Sequence, residues 1–191
     1  MRIAIDVDEV LADQLSGLIA FHNAEYGTTL QRGDFATYRF WETWGGTREE
    51  AIEKTRAFHQ SSAAAHIAPV AGAQDAVQKL SRQHELIVVT ARWNDIAAET
   101  QQWIAEYFPQ AFSQFHFANH YALDGSPERT KLEICQEIGA DLLVDDSLSN
   151  VTDMAYAGKR GILFDYPWNQ SDELPQGVLR ARSWSEVLCS I

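Results

Sequence analysis

Residues 2–13 read RIAIDVDEVLAD. Arg2–Val7 is a short β-branched run, which predicts a central strand beginning almost at the first residue. Asp6, Asp8 and Glu9 then crowd acidic groups where that strand must end. Further along the chain, comparable apolar runs occupy Leu86–Val89, followed by Thr90-Ala91-Arg92, and Phe115–Ala118. Leu142–Val144 runs into Asp145-Asp146, and Gly161–Phe164 is a fifth run. Helical spacing separates them. Ala73, Ala76, Val77 and Leu80 recur at i, i+3, i+4 and i+7, and Ile96, Thr100, Trp103 and Tyr107 also recur at helical spacing before Pro109. Leu132, Cys135 and Ile138 form a third stripe, with Ser126-Pro127 expected as its N-cap and first residue and Gly139 as its C-cap. Strands alternating with helices at this spacing predict an α/β fold with a doubly wound parallel sheet.

One stretch breaks the alternation. Residues 12–71 are too long for a crossover and show no strand pattern. Leu15, Leu18, Ile19 and Asn23 share one helix face, and Glu49–His59 predicts a second helix. Phe35, Tyr38, Phe40, Trp41 and Trp44 crowd between them around Gly45-Gly46. The expected organisation is a core of residues 1–11 and 72–191 with a small helical cap, residues 12–71, inserted after the first strand. The aromatic group serves either as the cap's own small core or, in part, as a ligand-facing surface.

The chain has 191 residues, 46% of them hydrophobic and 22% charged, enough to bury a full core. Its 15 Lys+Arg against 27 Asp+Glu give a formal charge of −12. That excess argues against polymeric nucleic acid or an anionic membrane as partner, since both require a basic face. A small phosphorylated ligand stays compatible, because one metal ion and a few basic side chains reverse the field inside a pocket. Cys135 and Cys189 lack metal-type spacing and read as reduced thiols. No apolar run approaches the ~20 residues needed to cross a bilayer, and acids interrupt the N-terminal run too early for a signal peptide. A cytoplasmic protein is expected. Its oligomeric state is left open, a homodimer included.

In a doubly wound sheet, ligands bind outside the carboxyl ends of the strands. Those ends carry Asp6 and Asp8, Thr90, and Asp145-Asp146, while Lys131 lies early in the helix feeding the fourth strand. Singly, each residue reads as a turn, a cap or a solvated charge. Jointly, they converge on one sheet edge. Asp6, Asp145 and Asp146 held together repel one another unless a cation sits among them. Carboxylates without His or Cys call for Mg²⁺ rather than zinc. A hard cation beside a carboxylate, a hydroxyl and a lysine makes a receptacle for a phosphoryl group.

In this order, Asp6-Val7-Asp8, Thr90, Lys131 and Asp145-Asp146 resemble the four motifs of the haloacid dehalogenase superfamily of phosphatases. The stretch IAPVAGAQDAVQKL (67–80) resembles the return from cap to core in that superfamily. DVDEVLAD, LLVDDS and the cap position resemble, more narrowly, the 5′(3′)-deoxyribonucleotidase family, the likeness running from about Ile3 to Trp168. The resemblance implies Asp6 as nucleophile, and Asp8 as general acid and then general base. It implies Mg²⁺ held by Asp6, the Asp8 carbonyl and Asp146, with Asp145 acting through water or by orienting Lys131. Thr90 and the Ala91 amide would hold phosphoryl oxygens, and Lys131 would neutralise the phosphoryl charge. The chain departs from the family in having Glu9 for a usual Gly, Gln14 for a common aromatic, and Thr90-Ala91-Arg92 for a usual Thr-Ser. Arg92 is open to two readings, a receptor for a second anionic group or a surface charge.

The function expected is a Mg²⁺-dependent phosphomonoesterase acting on a nucleoside monophosphate, with Phe40, Trp41 and Trp44 as candidates to stack the base. A phosphatase for another small ester is the alternative. A receiver-type signalling domain would need its acceptor Asp at the end of the third strand, where this chain has Asn119 and no Asp. A catalytically silent phosphate-binding module is the remaining, non-enzymatic alternative.

Overall fold

In the computed structural model, which describes residues 1–120, 127–171 and 173–191, every predicted run becomes a strand. These are β1 (Arg2–Ile5), β2 (Glu85–Thr90), β3 (Gln114–Phe117), β4 (Leu142–Asp145) and β5 (Arg160–Phe164). A further edge strand, β6 (Val178–Ala181), lies in the stretch after Trp168 where the sequence has no legible pattern. Only Val178 and Ala181 of its four residues are buried, so no two-residue alternation develops, and pairing with β5 makes it a strand. All pairings are parallel, in the order β3-β2-β1-β4-β5-β6. The winding reverses between β1 and β4, where doubly wound sheets open a crevice for ligands.

Between β1 and β2 the chain makes α1 (Gln14–Tyr26), α2 (Phe40–Trp44) and α3 (Arg48–Gln60) before α4 (Ala73–Ser81) completes the crossover. The later crossovers use α5 (Ala97–Tyr107), α6 (Lys131–Glu137) and α7 (Leu148–Tyr156), and α8 (Trp184–Ser190) follows β6. Side-chain alternation along the strands serves two cores. Ile3, Ile5, Leu86, Val88, Leu142 and Val144 pack with Val77, Leu80, Ile104 and Trp184 of α4, α5 and α8. Ala4, Ile87, Val89 and Leu143 meet Ile134, Cys135 and Met154 of α6 and α7 on the opposite face. Both faces are covered, which is why the strands read as continuous apolar runs.

The start of α6 differs from expectation. Ser126 lies outside the described residues, and Pro127 precedes the helix without belonging to it. The N-cap is Thr130, whose hydroxyl accepts from the Glu133 amide at 3.1 Å while the Glu133 carboxylate accepts from the Thr130 amide at 2.8 Å. This reciprocal pair satisfies two orphan amides, which Ser126-Pro127 sits too far upstream to do. The C-cap is Ile138 rather than the expected Gly139, which comes one residue later with φ of 65°, in the left-handed region that suits glycine.

Residues 14–66 pack mainly on themselves. Leu15, Leu18 and His22 are the buried face of α1, in place of the expected stripe through Ile19 and Asn23. The Asn23 amide instead bonds the main chain at Leu30, and its oxygen accepts from Thr28. Phe35 is fully buried, and Trp44 stacks on His22 at 4.8 Å with edge contacts to Phe35 and Phe40. The two chain crossings into this unit run side by side. Asp13 N–H donates to Ala68 O at 2.9 Å, and Val70 N–H to Leu11 O at 2.8 Å. Core indoles pin both crossings, Trp184 Nε1 donating to Val10 O and Trp103 Nε1 to Ile67 O. No helix among the described residues is long and apolar enough to cross a membrane.

Candidate active site

The register of β1 against β4 pairs Ile3 with Leu142 and Ile5 with Val144, so Asp6, the next residue, arrives beside Asp145. The Asp6 amide donates to Val144 O at 3.0 Å and locks that position. Asp145 stands two residues beyond Leu143 and therefore faces the α6 side of the sheet. Lys131, the first residue of α6, waits there. Its Nζ lies 2.8 Å from Asp6 Oδ2 and 2.7 Å from Asp145 Oδ2, with the lysine side chain 2% exposed. Asp145 also accepts from Ser147 N–H at 2.8 Å and from Asn150 Nδ2 at 3.2 Å. Asp146 Oδ2 accepts from Trp168 Nε1 at 2.9 Å and from the Tyr38 hydroxyl at 3.2 Å; that hydroxyl also reaches the Asp146 carbonyl.

Three buried carboxylates thus face one ammonium. Burial pushes the Asp6 carboxyl up to about 7, with Lys131 pulling it down and Asp145 and Asp8 pushing it up. Burial likewise raises Asp146, reinforced by Asp145 and Asp6. For Lys131, burial disfavours the charge, but Asp145 and Asp6 outweigh it and hold the ammonium above its ordinary range. One oxygen from each of Asp6, Asp145 and Asp146 lies within 4.8 Å of the others. Asp6 Oδ1 is buried without a hydrogen-bond partner. An orphaned carboxylate oxygen in an all-oxygen, net-negative cluster suits a hard divalent cation, which would satisfy the oxygen and offset the repulsion.

Asp8 sits two residues beyond Asp6, on the tight turn by which Val7 O accepts from Leu11 and Ala12 N–H. Arg92 grips its carboxylate, Nη2 donating to Oδ1 at 2.7 Å. The surface-charge reading of Arg92 does not hold, because its side chain is 6% exposed and paired to Asp8. A buried arginine must be paired, and the acid that pairs it comes from 84 residues away in sequence. Thr90 is fully buried at the end of β2, its hydroxyl accepting from Arg92 N–H at 3.2 Å.

A cavity of about 490 Å³ opens over this floor, lined by Asp6, Asp8, Lys131, Asp145 and Asp146, by Ala91 and Arg92, and above by Leu18, Phe40, Trp41 and Ile52. Thr90 and Trp44 are absent from the lining; Trp44 is committed to the packing around His22 and Phe35. Sequence reasoning did not single out His59, Asn150 or Trp168 as site residues, and placed Tyr38 only within the aromatic group; all four line the cavity. Asn150 carries a local signal, being in the first turn after Asp145-Asp146. Tyr38 and Trp168 carry none beyond being aromatic. Burial and the nearby Arg92 charge push His59 down to about 4, so it is neutral at neutral pH.

A family model described as "5′ nucleotidase, deoxy (Pyrimidine), cytosolic type C protein" matches residues 1–191. The chain belongs to that family. A 5′(3′)-deoxyribonucleotidase of Bacillus subtilis is 26% identical over 187 residues, covering 97% of this chain and 95% of its own. In structure, a haloacid dehalogenase-like hydrolase from Streptococcus pneumoniae, SP0104, superposes with a TM-score of 0.70 at 15% identity, covering 99% of this chain and 97% of its own. The hydrolase YfnB of B. subtilis, in a magnesium-bound crystal form, superposes with a TM-score of 0.65 at 15% identity over 99% and 97% of the two chains. This nucleotidase-family chain is a phosphomonoesterase on a haloacid dehalogenase fold, and the acids at its β1 and β4 ends occupy the sheet's switch point.

Proposed function

We propose that the protein is a Mg²⁺-dependent, cytoplasmic 5′-nucleotidase that hydrolyses (deoxy)nucleoside monophosphates through an aspartyl-phosphate on Asp6. Residues 12–71 act as a cap over the core of residues 1–11 and 72–191. The reading rests above all on Asp6, whose carboxylate stands at the switch point, on the cavity floor, paired to Lys131 and with one oxygen unpartnered. An Asp6 oxygen attacks phosphorus as the bond to the leaving oxygen breaks, and Asp8 delivers a proton to that oxygen. Asp8 then takes a proton from water, whose oxygen displaces Asp6 from phosphorus and releases inorganic phosphate. Lys131 holds the nucleophile in place and offsets the phosphoryl charge, and the Ala91 amide and Thr90 shape the phosphate pocket. Asp6, the Asp8 carbonyl and Asp146 would hold Mg²⁺, which supplies charge neutralisation at the phosphoryl oxygens.

Released phosphate, measured over a panel of nucleoside monophosphates and non-nucleotide phosphate esters with Mg²⁺ and with EDTA, tests this. Turnover of nucleotides that EDTA abolishes is expected. Activity confined to non-nucleotide esters would move the assignment to another small phosphate, and activity indifferent to EDTA would remove the metal.

The floor residues recognise what all phosphate esters share, so discrimination falls to the cap. Phe40 and Trp41 line the cavity and offer flat faces to a base. Trp41→Ala is expected to lower kcat/KM for nucleotides by about 5- to 150-fold, the ~1–3 kcal/mol of one stacking contact converted to rate. A small aromatic-free ester should be nearly unaffected. Trp44→Ala should instead weaken both substrates alike and lower the melting temperature, because Trp44 packs inside the cap. Equal losses from Trp41→Ala on both substrates would count against base stacking.

A further inference from the structure

Two of the three departures from the family's motifs touch each other. Gln14 Oε1 accepts from Arg92 Nη2 at 3.2 Å, and the same guanidinium holds Asp8. Its Nε reaches Asp8 Oδ1 at 3.1 Å and Oδ2 at 3.2 Å, and Nη2 reaches Oδ1 at 2.7 Å. Nη1 donates to Thr100 Oγ1 of α5 at 3.0 Å. The fork is therefore fixed from the core by Thr100 and from α1 by Gln14, with Asp8 between.

We propose that Arg92, braced by Thr100 and Gln14, is the positioning residue for the Asp8 carboxylate, setting the oxygen that exchanges a proton with the leaving group. The inference rests on the acid–base role proposed for Asp8. Asp8 needs such a brace, because it lies beyond the end of β1 on a turn, with its side chain 25% exposed at the cavity wall. A general acid acts only from hydrogen-bond reach of the oxygen it protonates. The grip is asymmetric: Oδ1 takes the 2.7 Å and 3.1 Å contacts, Oδ2 only the 3.2 Å one. Oδ2 is thus the less engaged oxygen, the one free to meet the leaving oxygen and then the attacking water in the proton transfers proposed for Asp8. Most of the Arg92 donors are committed to Asp8, Gln14 and Thr100, which ties the motif change from Thr-Ser to Thr-Ala-Arg to the placing of Asp8.

The test is kcat/KM over leaving groups of increasing basicity, from p-nitrophenyl phosphate through alkyl phosphates to a nucleoside monophosphate. It compares the wild type, Arg92→Ala, Arg92→Lys, Gln14→Leu, Asp8→Asn and the Arg92→Ala/Asp8→Asn double variant. Since acid–base catalysis contributes roughly 10²–10⁴-fold in total, Arg92→Ala should cost about 10- to 100-fold on alkyl and nucleotide esters. It should cost less than about 3-fold on p-nitrophenyl phosphate, whose departure needs no proton. Arg92→Lys and Gln14→Leu, which leave the buried site filled, should show the same ordering with smaller losses. In the Asp8→Asn background, removing Arg92 should add nothing. Losses equal across leaving groups, a full effect in the Asp8→Asn background, or no loss at all would overturn the role of Arg92. A wild-type chain that turns over none of the esters would overturn the proposed function and this inference together.

Discussion

Asp6→Asn is expected to lower turnover of every phosphate ester by about 10⁴-fold or more, the scale seen when a covalent nucleophile is removed, while the protein stays folded. An amide is nearly isosteric with the carboxylate but cannot form the acyl-phosphate. Folding should survive because the change removes one of three mutually repelling buried acids and leaves Lys131 its bond to Asp145. The pH dependence of stability gives a second readout. The Asp6 carboxyl is raised by burial from 3.8 to about 7 in the folded protein, so between those values the folded state binds more protons than the unfolded. Metal-free wild type should therefore lose stability as pH rises from about 4 to about 7. In Asp6→Asn that slope should be shallower, with the remainder coming from Asp146, which is raised as well. Retained turnover in a folded Asp6→Asn protein would end the covalent mechanism. An unchanged stability slope would show that the Asp6 carboxyl does not titrate in that window.

Lys131→Met, which keeps most of the length of the side chain but not its charge, should be nearly as damaging and in a different way. Lys131 is the cation in contact with Asp6 and Asp145, and all three side chains are less than a tenth exposed. Removing one partner of a buried ion pair typically costs ~3–5 kcal/mol, because the opposite charge is left uncompensated. The loss should be largest near pH 8, where the acids are ionised, and should shrink near pH 5 as they take up protons. Added Mg²⁺ should restore part of the melting temperature in this variant by replacing the missing positive charge. Phosphatase activity should stay at least about 10²-fold down even so, since an ordered cation elsewhere in the cluster does not hold Asp6 Oδ2 in line. A melting temperature equal to wild type at pH 8 would show that Lys131 does not offset the carboxylates.

The two outcomes bear on residues of very different legibility. Asp6, Asp145 and Lys131 can be read from the chain because strand ends in a doubly wound sheet are ligand positions, and each follows an apolar run or opens a helix. The sequence places Asp6 and Asp145 on the same sheet edge. Only the β1–β4 register makes them neighbours. Arg92 illustrates the opposite case. Its sequence surroundings, Thr90-Ala91 before and Trp93 after, contain no acid, so nothing local predicts burial. Its partner is Asp8, brought within 2.7 Å by the parallel pairing of β1 and β2. Trp41 and Trp44 are a similar contrast within one short helix. Three residues apart, they are alike in type, yet Trp41 lines the cavity and Trp44 stacks against His22 of α1.

By itself, the sequence determined the layered architecture, five of the six strands, the insertion between the first strand and α4, the acids at the strand ends and the lysine that opens α6. Each of these is written in local periodicity or in position relative to a strand terminus, and local pattern is what a single chain displays. The tertiary structure alone decided the edge strand β6, the cap of α6 at Thr130, which cap aromatics meet the cavity, the Tyr38 and Trp168 bonds to Asp146, and the pairing of Arg92 with Asp8. Most of these depend on contacts between residues far apart in sequence, set by sheet register and helix packing. The α6 cap depends instead on which of several capping sequences the crossover brings to the helix start. A hydrogen bond across 84 or 108 residues leaves no periodic trace in either segment, so it becomes visible only when the chain is folded.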